Sequence, residues 1–255
     1  MSTNKTILIT GASSGIGEAC AHVFAKNNCR VILTARRKDK LNSVKQTLEK
    51  EYKAEVLNLV FDVRNRTEVE NAINTLPEEW KNIDVLVNNA GLSLGLDPLQ
   101  NGNVDDWETM IDTNVKGLLY VSKVVSNMMI KNGYGHIINI GSIAGKESYL
   151  NGNVYCSTKA AVDSLTKSMR IDLLPHGIKV TGIHPGAVET EFSIVRFKGD
   201  VERANNVYKG FEPLHPEDIA DVIYFSATRP AHVNINDMLV MPTAQANATT
   251  FNKTT

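Results

Sequence analysis

The chain has 255 residues, 27 Lys and Arg against 28 Asp and Glu, a formal net charge of −1 and 42% hydrophobic residues. That apolar share can build a full core and argues against a disordered chain, while the balanced charge offers no basic excess for nucleic acid. Cys20, Cys29 and Cys156 are too few and odd in number for a disulfide framework, which suits a reducing cytoplasm. No apolar run approaches the roughly 18 residues of a membrane span, and the stretch after Lys5 is too short for a signal-peptide core. The expectation is a single cytoplasmic domain over residues 1–242 with a polar, partly mobile tail at 243–255.

In chain order, residues 5–10 (KTILIT) read as a strand, 15–27 as a helix and 30–35 (RVILTA) as a strand. A helix follows over 38–53, with Leu41, Val44 and Leu48 at spacings of three and four. Strand 56–61, helix 66–76 and strand 83–88 come next, then a loop over 91–104 with no clear period. A long helix is expected over 105–132, strand 136–140, helix 154–174 and strand 179–184. The segment 189–211 is longer than an ordinary βα connection and reads as a substrate loop. Helix 217–228 and strand 238–241 complete the series. Several strands are apolar almost without alternation, as in a parallel sheet covered on both faces. Strand and helix alternate throughout, which predicts an α/β, doubly wound parallel sheet.

Thr10-Gly11-Ala12-Ser13-Ser14-Gly15-Ile16-Gly17 links the first strand to the first helix. Gly11 can turn the chain sharply, Gly15 can let a pyrophosphate approach the backbone, and Gly17 can bring helix and sheet close. The plain alternative is a tight turn with no ligand. The second strand ends in Ala35-Arg36-Arg37, where an NAD site usually places an acid. Two guanidinium groups there favour the 2′-phosphate of NADP; a solvated charge pair is the alternative. Asp39 lies inside the predicted helix.

Tyr155 and Lys159 are four apart and share a helix face. A phenol next to an ammonium can take or give a proton while hydride moves, although the pair alone carries little information. Ser142, at the end of the fifth strand, can polarise the reacting oxygen, or simply cap a turn. Asn114 stands inside a predicted helix, where Asn is unfavourable; its side chain can disturb the helix and hold a proton-relay water, or sit exposed.

Taken with Asn88-Asn89-Ala90-Gly91 and Pro185-Gly186, these motifs resemble the short-chain dehydrogenase/reductase family in order and over nearly the whole chain. The resemblance implies a single-domain Rossmann-type sheet of about seven parallel strands with helices on both faces. It implies Tyr155 as general acid/base, Lys159 as the residue that lowers its pKa and binds the nicotinamide ribose, Ser142 as substrate orienter and Asn114 as water holder. For the cofactor it implies the turn residues Gly11, Ser13, Ser14, Gly15, Ile16 and Gly17, with Asp62 and Val63 at the adenine. Asn89, Ala90 and Gly91 become the central wall, and Pro185, Gly186, Val188 and Thr190 the nicotinamide loop. Ser14 stands where NADP-using relatives often carry a basic residue, leaving Arg36 and Arg37 for the phosphate. A homotetramer is implied, with helices 105–132 and 154–174 as its main contact.

Residues 190–200 (TEFSIVRFKGD), 106–114 (DWETMIDTN), 230–235 (PAHVNI) and Met241-Pro242 are similar to an NADP-dependent branch acting on serine, allo-threonine and 3-hydroxyisobutyrate. Such 3-hydroxy acids carry a carboxylate close to the reacting carbinol and need a cation near Tyr155. Arg196, in the long loop, is the residue expected to bind it. The six histidines and the cysteines lack metal-ligand spacing, so no metal is expected. Cys156, Trp80 and Trp107 read as packing, and Lys146 as loop charge. The rival readings are an NADPH-dependent carbonyl or 3-oxoacyl reductase and a nucleotide-sensing binding protein.

Overall fold

Strands that are apolar on both sides need cover on both faces, and the computed structural model, which describes residues 5–254, supplies it. The strands are β1 (Thr6–Thr10), β2 (Arg30–Ala35), β3 (Val56–Val60), β4 (Ile83–Asn88), β5 (Gly135–Ile140), β6 (Ile178–Pro185) and β7 (Asp237–Val240). They form one parallel sheet in the order β3-β2-β1-β4-β5-β6-β7. Strand periodicity divides the core between the two faces. Ile7, Ile9, Val31 and Leu33 pack with Phe24 of α1 (Gly15–Lys26), Leu41 of α2 (Lys38–Tyr52) and, beyond the switch point, Ile223 near the chain's end. Leu8, Ile32 and Leu86 face the other way, towards Val69 of α3 (Arg66–Asn74) and Val125. The strand order reverses between β1 and β4, and the carboxyl ends of the strands open there into a cleft, where such sheets bind ligands.

The stretch expected as one helix over 105–132 is three pieces. Helix α4 (Val104–Ile111) leads into a π-helical segment, Asp112–Gly117, and then α5 (Leu118–Asn132). Helix periodicity in sequence does not reveal the extra residue of a π turn; such turns often mark functional sites. Helix α6 (Asn153–Leu173) follows, and no helix among the described residues is long and apolar enough to cross a membrane.

The segment 189–211 folds into two short helices, α7 (Phe192–Arg196) and α8 (Val201–Asn206), ahead of α9 (Pro216–Ala227). The tail, expected to be polar and partly mobile, makes specific contacts with the domain. Gln245 is buried, its Oε1 accepts from the Ala187 amide at 2.8 Å, and Phe251 packs at a tilt against Phe211 with centroids 4.9 Å apart. A polar segment gains order by pairing with distant backbone, which composition alone does not reveal. Residues 1–4 and 255 of the predicted domain and tail lie outside the described residues.

Candidate active site

The glycine turn is shaped by close approaches. Gly11 leaves β1 at φ 68° and Gly15 opens α1 at φ 55°, both in the left-handed region. A Cβ on Gly17 would lie 2.4 Å from the Gly11 carbonyl oxygen, so Gly17 serves helix–sheet packing and does not line the cleft. Asn89 Nδ2 donates to the Thr10 carbonyl at 2.9 Å, and Thr10 Oγ1 accepts from the Asn89 and Ala90 amides at 3.0 and 2.9 Å. These bonds clamp the central wall to the turn. The cleft encloses about 560 Å³, within the usual range of ligand pockets.

Around that volume stand Gly11, Ser13, Ser14, Gly15, Ile16, Arg36, Arg37, Asp62, Val63, Asn89, Ala90 and Gly91 at one end. Ser142, Tyr155, Lys159, Pro185, Gly186, Val188, Thr190 and Arg196 stand at the other. Residues up to 185 positions apart thus converge on the carboxyl edge of the sheet, from the turns at strand ends and from α1, α6 and α7. At the far end Arg37 donates to Ser13 Oγ at 3.1 Å and Ser14 Oγ at 2.7 Å, and Arg36 lies 3.7 Å from Asp62. Burial pushes the Asp62 carboxyl up, but hydrogen bonds from Arg64 and the charge of Arg36 outweigh it and hold the group below the usual range.

Tyr155 is 8% exposed. Burial pushes its phenol well above the usual value and Tyr149 adds to this, while a hydrogen bond from Ser142 and the Arg196 charge pull it down. Ser142 Oγ also accepts from the Ala144 amide at 3.1 Å, so it caps a turn beside the phenol. Lys159 is not among the groups that shift the phenol. Its Nζ donates to the Ile140 carbonyl at 2.9 Å, beneath Gly91, because burial of both residues leaves that carbonyl as its partner.

Burial lowers the Lys159 pKa from 10.5 to about 8. At about 1.4 kcal/mol per unit, that depression costs the folded state about 3 kcal/mol whenever the lysine is charged. Between these two values the unfolded chain binds the proton that the folded chain has given up, so stability from this site rises with pH. Below about pH 8 the cost is borne in full. Lys159→Met, which also loses a hydrogen bond worth about 1 kcal/mol, is expected to be about 2 kcal/mol more stable than the parent near neutral pH. The gap should close towards about pH 10; denaturant titrations giving the same difference at both pH values would reject burial as its cause.

Asn114 is buried and does not face the cleft. It donates to the Leu92 carbonyl at 2.8 Å and Thr158 Oγ1 at 3.0 Å, and accepts from the Leu92 amide at 2.9 Å. The side chain expected to hold a water bonds instead to the Leu92 backbone and the Thr158 hydroxyl, beside Gly91. Its place in the π-helical segment turns it towards that strand end instead of solvent.

Arg196 Nη2 donates to Tyr149 Oη at 3.0 Å and Nε to the Gly95 carbonyl at 3.2 Å, with the guanidinium carbon 5.8 Å from the Tyr155 ring centre. None of these partners is an anion. Tyr149 also lines the cleft, as do Glu191, Tyr208, Gln245 and Phe251. Sequence reading missed these as site residues; Glu191 and Tyr208 lay in the 189–211 segment already singled out, and Tyr149 carries no local signal.

Lys146 is not simple loop charge. It donates to Asp163 Oδ1 at 2.8 Å and Asp237 Oδ2 at 2.9 Å, and Asp237 lies 2.9 Å from buried His184. Asp163, His184 and Asp237 thus form a cluster that linear spacing hid, with the lysine as its cation. It ties the turn after Ser142 to α6 and to the strand end before Pro185.

Known proteins are similar to this chain over most of its length. The NADP-dependent 3-hydroxy acid dehydrogenase YdfG of Salmonella typhi is 49% identical over 243 residues, covering 95% of this chain and 96% of that protein. The NADP-dependent 3-hydroxy acid dehydrogenase of Schizosaccharomyces pombe is 48% identical over 245 residues, covering 96% of this chain and 95% of that one. A serine dehydrogenase solved in its closed form with NADP+ superimposes with a TM-score of 0.91 at 45% identity, covering 98% of this chain and 100% of that one. The short chain dehydrogenase family model matches residues 5–200. With its parallel sheet, its glycine turn and its buried Tyr155 and Lys159 at one cleft, the chain belongs to the short-chain dehydrogenase family.

Proposed function

We propose that this enzyme is an NADP-dependent oxidoreductase that oxidises small 3-hydroxy acids at the C3 carbinol, with serine, allo-threonine and 3-hydroxyisobutyrate as its substrate type. The similarity to NADP-dependent relatives supports the cofactor. The cleft fits it: a Cβ on Gly15 would crowd Thr190 at 3.2 Å, so the missing side chain keeps the α1 N-terminus open to phosphate. Arg36 and Arg37 mark the end that takes the 2′-phosphate.

One observation carries the substrate class. Arg196 places a guanidinium with no anionic partner among the described residues inside the cleft, against Tyr155. Orienting it through Tyr149 and Gly95 leaves its remaining N–H groups for a carboxylate, close to a hydroxyl at Tyr155.

Bound NADP+ supplies the hydride acceptor. Ser142 donates to the substrate oxygen and fixes it by Tyr155. As the phenolate, Tyr155 Oη takes the hydroxyl proton in oxidation; as the phenol, it gives a proton to the carbonyl oxygen in reduction. Ser142 and Arg196 offset part of the burial that keeps the phenol protonated. Lys159, near Gly91 and the Ile140 carbonyl, is placed to hold the ribose of the nicotinamide and pass the proton onward. The leading test follows the absorbance of reduced nicotinamide with NADP+ or NAD+ and L-serine, L-allo-threonine, 3-hydroxyisobutyrate or an uncharged alcohol. NADP+-dependent turnover of the hydroxy acids is expected; turnover of the uncharged alcohol alone would discard the carboxylate site.

A further inference from the structure

The cationic end of the cleft already holds an anion from the chain itself. Glu191 Oε2 accepts from Arg37 Nη1 at 2.9 Å, and Oε1 accepts from Lys40 Nζ at 3.3 Å. The hydrogen bond from Arg37 is the main reason the Glu191 carboxyl lies below its usual range. The other Arg37 nitrogens are spent on Ser13 and Ser14. An arginine that grips a phosphate does so with two parallel N–H groups. Arg37 keeps one free N–H on Nη1 and has no such pair left without giving up the glycine turn or Glu191. Two anions on one guanidinium also repel.

The position of Glu191 in the chain adds a second consequence. It immediately precedes α7, and that helix ends at Arg196, whose guanidinium lies by Tyr155. One short segment therefore spans from the phosphate end to the reacting end. The Arg37–Glu191 pair is half-exposed at both residues; such pairs are weak and exchange readily.

We propose that Glu191 is a specificity-determining residue: its carboxylate stands in for the 2′-phosphate on Arg37 until NADP binds. It lowers affinity for NADP, leaves NAD without that competition, and ties the substrate segment to the cofactor end until the phosphate takes its place. The proposal rests on the assignment of Arg37 to the 2′-phosphate.

Calorimetric titration of the parent, Glu191→Gln and Arg37→Ala with NADP+ and with NAD+ tests it. Glu191→Gln is expected to tighten NADP+ binding about fivefold, by removing a weak competing ion pair, with no tightening for NAD+. Unchanged or weaker NADP+ binding, or equal tightening of both nucleotides, overturns the proposal. Arg37→Ala separates the two ideas. If it erases the preference for NADP+ while Glu191→Gln does nothing, only the role of Glu191 fails. If it leaves the preference intact, the phosphate assignment fails and the proposal with it. Amide exchange gives a second readout: NADP+, but not NAD+, should alter exchange across residues 192–196 in the parent, and Glu191→Gln should abolish that difference. Identical patterns for both nucleotides in the parent would refute the tie.

Discussion

Tyr155→Phe is expected to lower turnover about a thousandfold, in the middle of the range for losing a positioned acid or base, while NADP+ still binds. The change removes one oxygen from a buried ring and leaves its packing against Phe192, 5.6 Å between centroids, in place. The loss is therefore chemical and not a failure to fold. Because burial holds the phenol protonated, reduction should tolerate neutral pH, whereas oxidation should gain with rising pH as the proton becomes easier to remove. Single-turnover absorbance with NADP+ bound measures the step. A variant retaining a tenth or more of the parent rate would show that another group moves the proton.

Arg196→Ala is expected to raise KM for 3-hydroxy acids about thirtyfold. A hydrogen-bonded charge pair contributes about 1.5–3 kcal/mol, and thirtyfold corresponds to about 2 kcal/mol. An uncharged alcohol or aldehyde should be turned over within about threefold of the parent, since it lacks the carboxylate proposed to pair with Arg196. Arg196→Lys should recover part of the loss: it restores the charge but not the planar fork held by Tyr149 and Gly95. Steady-state kinetics on both substrate types decide. Equal losses for charged and uncharged substrates would place Arg196 in the structure of the loop and not at the carboxylate.

These two predictions draw differently on the sequence. Tyr155 and Lys159 were readable because four residues on a helix make one face, and that holds wherever the helix sits. The same is true of the glycine turn, whose demands on φ and on closeness are local, and of the alternation of apolar strands with periodic helices that specifies a parallel sheet. Arg37 was likewise readable as a cation at a strand end. Its partner was not: Glu191 lies 154 residues away, and only the closure of the cleft brings them within 2.9 Å. The Lys146 cluster joins residues 17 and 91 positions apart, and the tail packs on a strand end 58 positions back from Gln245. Asn114 shows the limit within one element, for its residue type suggested a disturbed helix, but the π-helical turn and the Leu92 backbone it holds depend on what packs beside it. Local backbone preference and side-chain period thus determined the elements, the cofactor turn and the Tyr155–Lys159 face. Partners for buried charges and polar side chains were decided only in the tertiary structure, because pairing energy depends on distance in space and the chain alone encodes none of those distances.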